Sequence, residues 1–232
     1  MRQLTSLLLL GTLGLLGGCT QSSSSLTQTL ALAFEGPQGV AITPQKIAQL
    51  PYASMLAQQN SSPEALLVLA WSENNPHTSS NNIPPNLKWL SANKEMIVTR
   101  AGRIIKTINL GGGNITKLSS NTIDPIILGL QKESTPKYWK YQLSWQPGYH
   151  SKYNAESHFV IQGHTQLTLP IEGTVDTLLV YETVTIPRLD STYTNTYWLN
   201  PDNGTVLKSV QTLAPSLSTM TLTQGKAFGE QQ

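Results

Sequence analysis

Between residues 64 and 223 the chain offers one short β-prone run after another, and no helical run long enough to cross over between parallel strands. Parallel neighbours need a crossover of about a dozen residues or more, so this succession points to antiparallel pairing. Residues 65–71 are a compact apolar run. Residues 96–100 and 103–108 read as two strands joined by a tight turn at Ala101-Gly102. Residues 137–145 alternate aromatic and polar side chains, and 157–169 and 173–186 are two long β-prone runs around Pro170. Residues 193–199, the turn Pro201-Asp202-Asn203-Gly204 and residues 205–213 form the clearest hairpin, and a last strand is predicted over 218–223. Residues 74–85, rich in Asn, Ser and Pro, read as a surface loop, and Gly111-Gly112-Gly113-Asn114 as a break in the sheet. The expected fold is mainly all-β. About eight to ten antiparallel strands curl into a barrel or half-barrel, preceded by a few short N-terminal helices.

The other end of the chain carries a different signal. Arg2 precedes an apolar run at 7–15, which is short for a permanent membrane span, and Leu16-Gly17-Gly18-Cys19 follows. Residues 1–18 read as a signal peptide, and the last four residues resemble the lipobox of bacterial lipoproteins. That resemblance implies that the Cys19 thiol takes a diacylglycerol and that the peptide is cut before it; a thiolate is the nucleophile such a step requires. An ordinary secretory signal with a chance cysteine is the alternative, but Cys19 is the single cysteine of the chain. Thr20 stands where an Asp would retain an enterobacterial lipoprotein in the inner membrane, which implies sorting to the outer one. Residues 19–35 then form a lipidated tether with a short helix suggested by Leu26, Leu30 and Ala33. Residues 36–232 form a single β-rich periplasmic domain. Thr43-Pro44 supplies an N-cap and a first-turn proline for one further short helix.

Charged residues make up only 12% of the chain and the formal net charge is +2, so no basic field exists to attract nucleic acid. His77, His150, His158 and His164 fit no zinc spacing. His164 and Asp176 could be written as a triad with one of many serines, but Ser54 lies in no nucleophile-elbow pattern. The glycine run lacks the Lys and Ser or Thr of a phosphate loop. Glu172, Asp176 and Glu182 are candidates for paired carboxylates whose separation sequence does not give. Without a recognisable nucleophile, metal-ligand set or cofactor motif, the expectation is a protein that is not an enzyme and holds no metal or cofactor. Tyr138, Trp139, Tyr141 and Trp145 cluster in one stretch, and Tyr193, Tyr197 and Trp198 in the last hairpin. Aromatic faces stack on sugar rings, so Tyr138, Trp139, Trp145 and Trp198 are candidate contacts for glycan or a partner protein. Core packing is the competing role for the same rings.

Several stretches share an order with one family. They are Leu50-Pro51-Tyr52-Ala53-Ser54-Met55, Trp89-Leu90-Ser91, and Val98-Thr99-Arg100-Ala101-Gly102-Arg103-Ile104-Ile105-Lys106-Thr107. Asn195-Thr196-Tyr197-Trp198-Leu199 and Gly204-Thr205-Val206-Leu207-Lys208-Ser209-Val210-Gln211 complete the set. In these the chain resembles the YjbF/GfcB family of group 4 capsule lipoproteins, with the insert near 74–86 as a departure. The resemblance implies an antiparallel β half-barrel and an outer-membrane lipoprotein that serves capsule or exopolysaccharide secretion. Its implied partners are export or assembly proteins and the polysaccharide itself, and it brings no catalytic residues. Two other functions stay open: a periplasmic carrier holding an acyl chain or glycan in a curved sheet, and a hydrolase acting on surface glycan.

Overall fold

Alternation at period two gives a strand two chemically opposite faces, and residues 138–146 show what this does to the chain. Tyr138, Lys140 and Gln142 face outward, while Trp139, Tyr141, Leu143 and Trp145 are buried. In the computed structural model, which describes residues 42–74 and 83–229, this strand is one of twelve. They are β1 (Ser54–Gln59), β2 (Ala65–Glu73), β3 (Asn86–Leu90), β4 (Met96–Arg100), β5 (Arg103–Ile108) and β6 (Asn114–Ser119). The second half of the chain adds β7 (Tyr138–Gln146), β8 (His150–Leu169), β9 (Gly173–Ile186), β10 (Ser191–Leu199), β11 (Val206–Thr212) and β12 (Thr219–Gln224). All join one sheet in the order β5-β4-β3-β2-β1-β12-β11-β10-β9-β8-β7-β6, and every neighbouring pair is antiparallel.

That order is the sequence order drawn as a circle and cut between β5 and β6. These two strands lie side by side without a backbone ladder. Ile115 N–H instead donates to the Thr107 hydroxyl across the seam at 3.0 Å. The result is a nearly closed, barrel-like sheet. Successive turns of an up-and-down sheet alternate between its two ends. The start of β1, the Ala101-Gly102 turn, the β8–β9 turn, the β10–β11 turn and the chain after β12 therefore share one end. The β5–β6, β7–β8, β9–β10 and β11–β12 turns share the other. Inward side chains from most strands, among them Leu67, Trp89, Ile97, Leu143, Phe159, Val180, Tyr197 and Leu222, form one continuous core.

Among the described residues two short α-helices accompany the sheet, one ahead of β1 and one between β6 and β7. Thr43 caps α1 (Pro44–Gln49), as its sequence foretold: its hydroxyl accepts from Lys46 N–H at 3.3 Å. Ile47 of α1 is buried, and Gly225 fits tightly beside it and Ser54. The second helix, α2 (Pro125–Leu128), falls in mid-chain, where no helix is predicted. The strand expectation also needs correcting. Strands begin at Ser54 and not near 64, and they number twelve and not eight to ten. Strands β1, β3 and β6 were missed because Ser-Met-Leu-Ala-Gln-Gln, Asn-Leu-Lys-Trp-Leu and Asn-Ile-Thr-Lys-Leu-Ser are short and carry little intrinsic β preference. Their neighbours create them: β1 pairs with β2 on one side and β12 on the other. The lipobox, the tether with its predicted helix, His77 and most of the 74–85 loop lie outside the described residues.

Candidate functional site

Glu182 is the odd member of the inward set Leu178, Val180, Glu182, Val184 and Ile186 on β9, and it is 0% exposed. A lone carboxylate there requires a partner, because an unpaired buried charge costs several kcal/mol. Arg103 supplies it from the first position of β5, 3% exposed. Its Nη1 donates to Glu182 Oε2 at 3.0 Å and its Nη2 lies 2.9 Å from Oε1, a two-pronged ion pair. The same guanidinium pairs through Nε and Nη2 with Asp124, whose Oδ1 also accepts from Ile126 N–H at 3.0 Å and so caps α2. Ser157 donates to Glu182 at 2.6 Å, Asn195 at 2.9 Å and Tyr197 at 2.9 Å. The Trp139 ring stacks under the guanidinium, 4.8 Å from Cζ. Every charge in this cluster is spent on another protein group.

Burial alone would push the Glu182 carboxyl up; the Arg103 charge and the hydrogen bonds from Arg103, Ser157 and Asn195 win and hold it below the ordinary carboxylate value. Burial raises the Tyr197 and Tyr141 phenols well above their ordinary value. Because the folded-state pKa of Glu182 is depressed, the stability it contributes is complete above its ordinary pKa of 4.5 and is lost as pH falls through the folded value. Urea melts stepped from about pH 6 to about pH 3 should show stability falling on the acid side, and Glu182→Gln should flatten part of that limb. An acid limb with the same slope in both proteins would remove Glu182 as its source.

Above this cluster, at the end of the barrel where β1 begins, lies a cleft of about 380 Å³. Trp89, Thr99 and Leu222 come from the barrel wall, and Met55 and Leu87 from the starts of β1 and β3. Ile126 and Ile127 of α2, Val206 and Phe228 add to its apolar surface. Gly102 brings the β4–β5 turn against β11: its φ is +84°, and an added Cβ would overlap the Val206 side chain. Gln211 holds that turn from the opposite wall, accepting from Ile104 N–H at 3.0 Å and donating to the Gly102 carbonyl at 2.9 Å.

The four candidate aromatics divide. Tyr138 is 71% exposed and stacks on His158, with ring centroids 4.4 Å apart. Trp198 is half-buried against Leu167, Leu169 and Leu207, with Lys208 Nζ 5.4 Å from its ring. Trp139 and Trp145 are core residues, 5% and 2% exposed, so neither ring offers a surface for glycan or a partner. Inward parity on β7 decides this. The three candidate carboxylates do not converge: Glu172 accepts from Gln224 at 3.3 Å, Asp176 pairs with His164 at 2.6 Å, and Glu182 is in the core. No serine joins His164 and Asp176 among the hydrogen bonds of the described residues. Ser54 is buried and accepts from Lys226 N–H at 3.1 Å, pinning the chain after β12 to β1. Among the described residues no three His, Cys, Asp or Glu side chains gather as a metal shell. Sequence reading missed Arg103, Asp124 and Gln211. The one usable signal was Glu182, a charge among the apolar inward positions Leu178, Val180, Val184 and Ile186 of β9.

The sequence model of the family described as "Group 4 capsule polysaccharide lipoprotein gfcB, YjbF" matches residues 27–224. The uncharacterized lipoprotein GfcB of Escherichia coli K12 is 28% identical over 210 residues, 90% of this chain and 92% of that one. The uncharacterized lipoprotein YjbF of the same organism is 28% identical over 200 residues, 86% and 87% of the two chains. The crystal structure of the hypothetical lipoprotein YmcC from E. coli K12 superposes with a TM-score of 0.72 at 24% identity, over 87% of this chain and 95% of that one. That likeness is one of fold.

Proposed function

The chain belongs to the YjbF family of group 4 capsule polysaccharide lipoproteins, and from that premise we propose an outer-membrane lipoprotein that assists capsule or exopolysaccharide export or assembly without catalysing a reaction on the glycan. The match over residues 27–224 carries this reading. The anchor is Cys19, with Thr20 directing the protein to the outer membrane, and residues 36–232 act as one domain on the periplasmic side. Its partners are export or assembly proteins, and the polysaccharide where exposed rings such as Tyr138 can stack on it. The absence of catalysis is supported by the fate of the acids. Glu182 is held ionised in an ion cluster, and Glu172 and Asp176 lie apart on other contacts.

Deletion of the gene should lower surface polysaccharide, and the purified protein should leave that polysaccharide at full length. Normal surface polysaccharide in the deletion strain would reject the role, and shortened chains would reject the non-catalytic part. Cys19→Ala should abolish labelling by an alkyne fatty acid and release the protein from the membrane fraction. Two or more acyl chains, at about 0.8 kcal/mol per buried methylene, are what hold it there. Undiminished labelling of the variant would rule out Cys19 as the anchor.

A second reading, a carrier, is favoured by one observation: the apolar cleft at the end of the barrel.

A further inference from the structure

The outer face of β7 and β8 carries a polar groove. Tyr138, Lys140 and Gln142 face outward on β7, and β8 sets His158, Glu156 and Asn154 opposite them. Partners in a ladder share a face, so these six side chains stand together on the outside, over about 13 Å of strand from Tyr138 to Gln142. Along the other edge of β7, residues 119–122 form a wall. The Ser120 hydroxyl donates to the Lys140 carbonyl at 2.7 Å and accepts from Thr122 N–H at 3.1 Å. Wall and ladder enclose about 470 Å³, within the range of roughly 300–1,000 Å³ common to ligand sites. Ser119, Ser120, Asn121, Thr122, Gln142 and Asn154 line it, all uncharged. Its one cation and one anion, Lys140 and Glu156, are spent on each other at 2.8 Å. The other two residues that border it, Tyr141 and Ala155, belong to the core. The groove therefore offers hydroxyls and amides, no net charge and no exposed apolar side chain. Gln142 donates to Asn154 at 3.3 Å, which leaves Gln142 Oε1 and Asn154 Nδ2 without a protein partner among the described residues. One step along the same face stands Tyr138, its ring against His158 on one side and 71% exposed.

We propose that this groove, with Tyr138 as its platform, binds a short stretch of uncharged polysaccharide: one sugar ring on Tyr138, its neighbours against Gln142, Asn154 and the 119–122 wall. The electron-rich face of an aromatic ring attracts the polarised C–H groups on one side of a sugar, and the sugar's hydroxyls need donors and acceptors around them. An acidic glycan finds no free cation here, because Lys140 is already paired. This deepens the polysaccharide part of the proposed function and rests on that reading. The two fail separately. Loss of binding by the pure protein would leave a lowered surface polysaccharide in the deletion strain standing, and a normal deletion strain would leave the groove's binding as measured.

The test is binding of the full chain, in nanodiscs of zwitterionic phosphatidylcholine, to immobilised neutral polymers (a glucan, a galactan and a mannan) and to polygalacturonate as an acidic counterpart. At least one neutral polymer should retain the protein more strongly than polygalacturonate does, and soluble oligosaccharide from that polymer should release it. Tyr138→Ala should weaken retention about tenfold, on the scale known for a base stacked on an aromatic side chain. The double variant Gln142→Ala with Asn154→Ala should also weaken it about tenfold, the loss expected for two hydrogen bonds. Tyr149→Ala removes a ring that is fully exposed in the β7–β8 turn, outside the groove, and should change nothing. All these side chains are exposed, and melting temperatures equal to the parent's confirm that each variant is folded. Three results would overturn the proposal: retention by none of the neutral polymers, retention by polygalacturonate as strong as theirs, or retention that Tyr149→Ala lowers as much as Tyr138→Ala and the double variant do.

Discussion

Glu182→Ala should lower the unfolding free energy by about 3–5 kcal/mol, the range for removing one partner of a buried ion pair. The loss comes less from the missing contacts than from what remains. Arg103 would keep Asp124 but lose two bonds in the core, and Ser157, Asn195 and Tyr197 would each have a donor aimed at an empty space. Against a total stability of about 5–15 kcal/mol this is a large share. Urea denaturation at neutral pH measures it. The cluster ties β5 to β9, β8 and β10 and holds α2 through Asp124, so the variant should also loosen the β5–β6 seam. Faster amide exchange at Ile104 and Ile115 would report that. A change below about 1 kcal/mol would mean that the paired charges contribute little beyond their own desolvation.

Trp139→Ala should be comparably severe, about 3–5 kcal/mol, while its neighbour Tyr138→Ala should stay within about 0.5 kcal/mol. The two aromatics are adjacent in sequence and differ only in the face of β7 they occupy. Trp139 lies in the core, stacks on Tyr141 with centroids 4.5 Å apart, sits beneath the Arg103 guanidinium, and donates to the Thr122 carbonyl at 3.3 Å. Removing it opens a cavity and exposes a guanidinium face to nothing. Tyr138 stands in solvent and touches His158. Thermal melts of the two variants separate them, and similar melting temperatures would refute the assigned faces. If Tyr138 meets glycan or a partner, its variant should fail in export while melting normally.

Much of the sheet was legible from period-two patterning and turn chemistry. The predicted strand at 173–186 is β9 to the residue, the Ala101-Gly102 turn joins β4 to β5, and the Pro201-Asp202-Asn203-Gly204 turn joins β10 to β11. Thr43-Pro44 announced α1. Where a strand starts was less legible: β8 begins at His150, seven residues before the predicted run, because its first residues pair with β7 and carry no apolar alternation of their own. The candidate site was harder still, since each aromatic was visible but its face was not.

Local chemistry therefore determined the class: an antiparallel all-β fold from a chain in which charged residues are only 12%. Turn residues and alternation act over two to four positions, and a sequence states them directly. Only the tertiary structure decided that β1 closes against β12, that Arg103 meets Glu182 across 79 positions and Asp124 across 21, and that an apolar cleft opens at the end of the barrel where β1 begins. Those pairings depend on how far a twisted sheet curls and on which strands become neighbours around the circle. No single segment carries that information, because the partner of each buried charge is set by the wall opposite it.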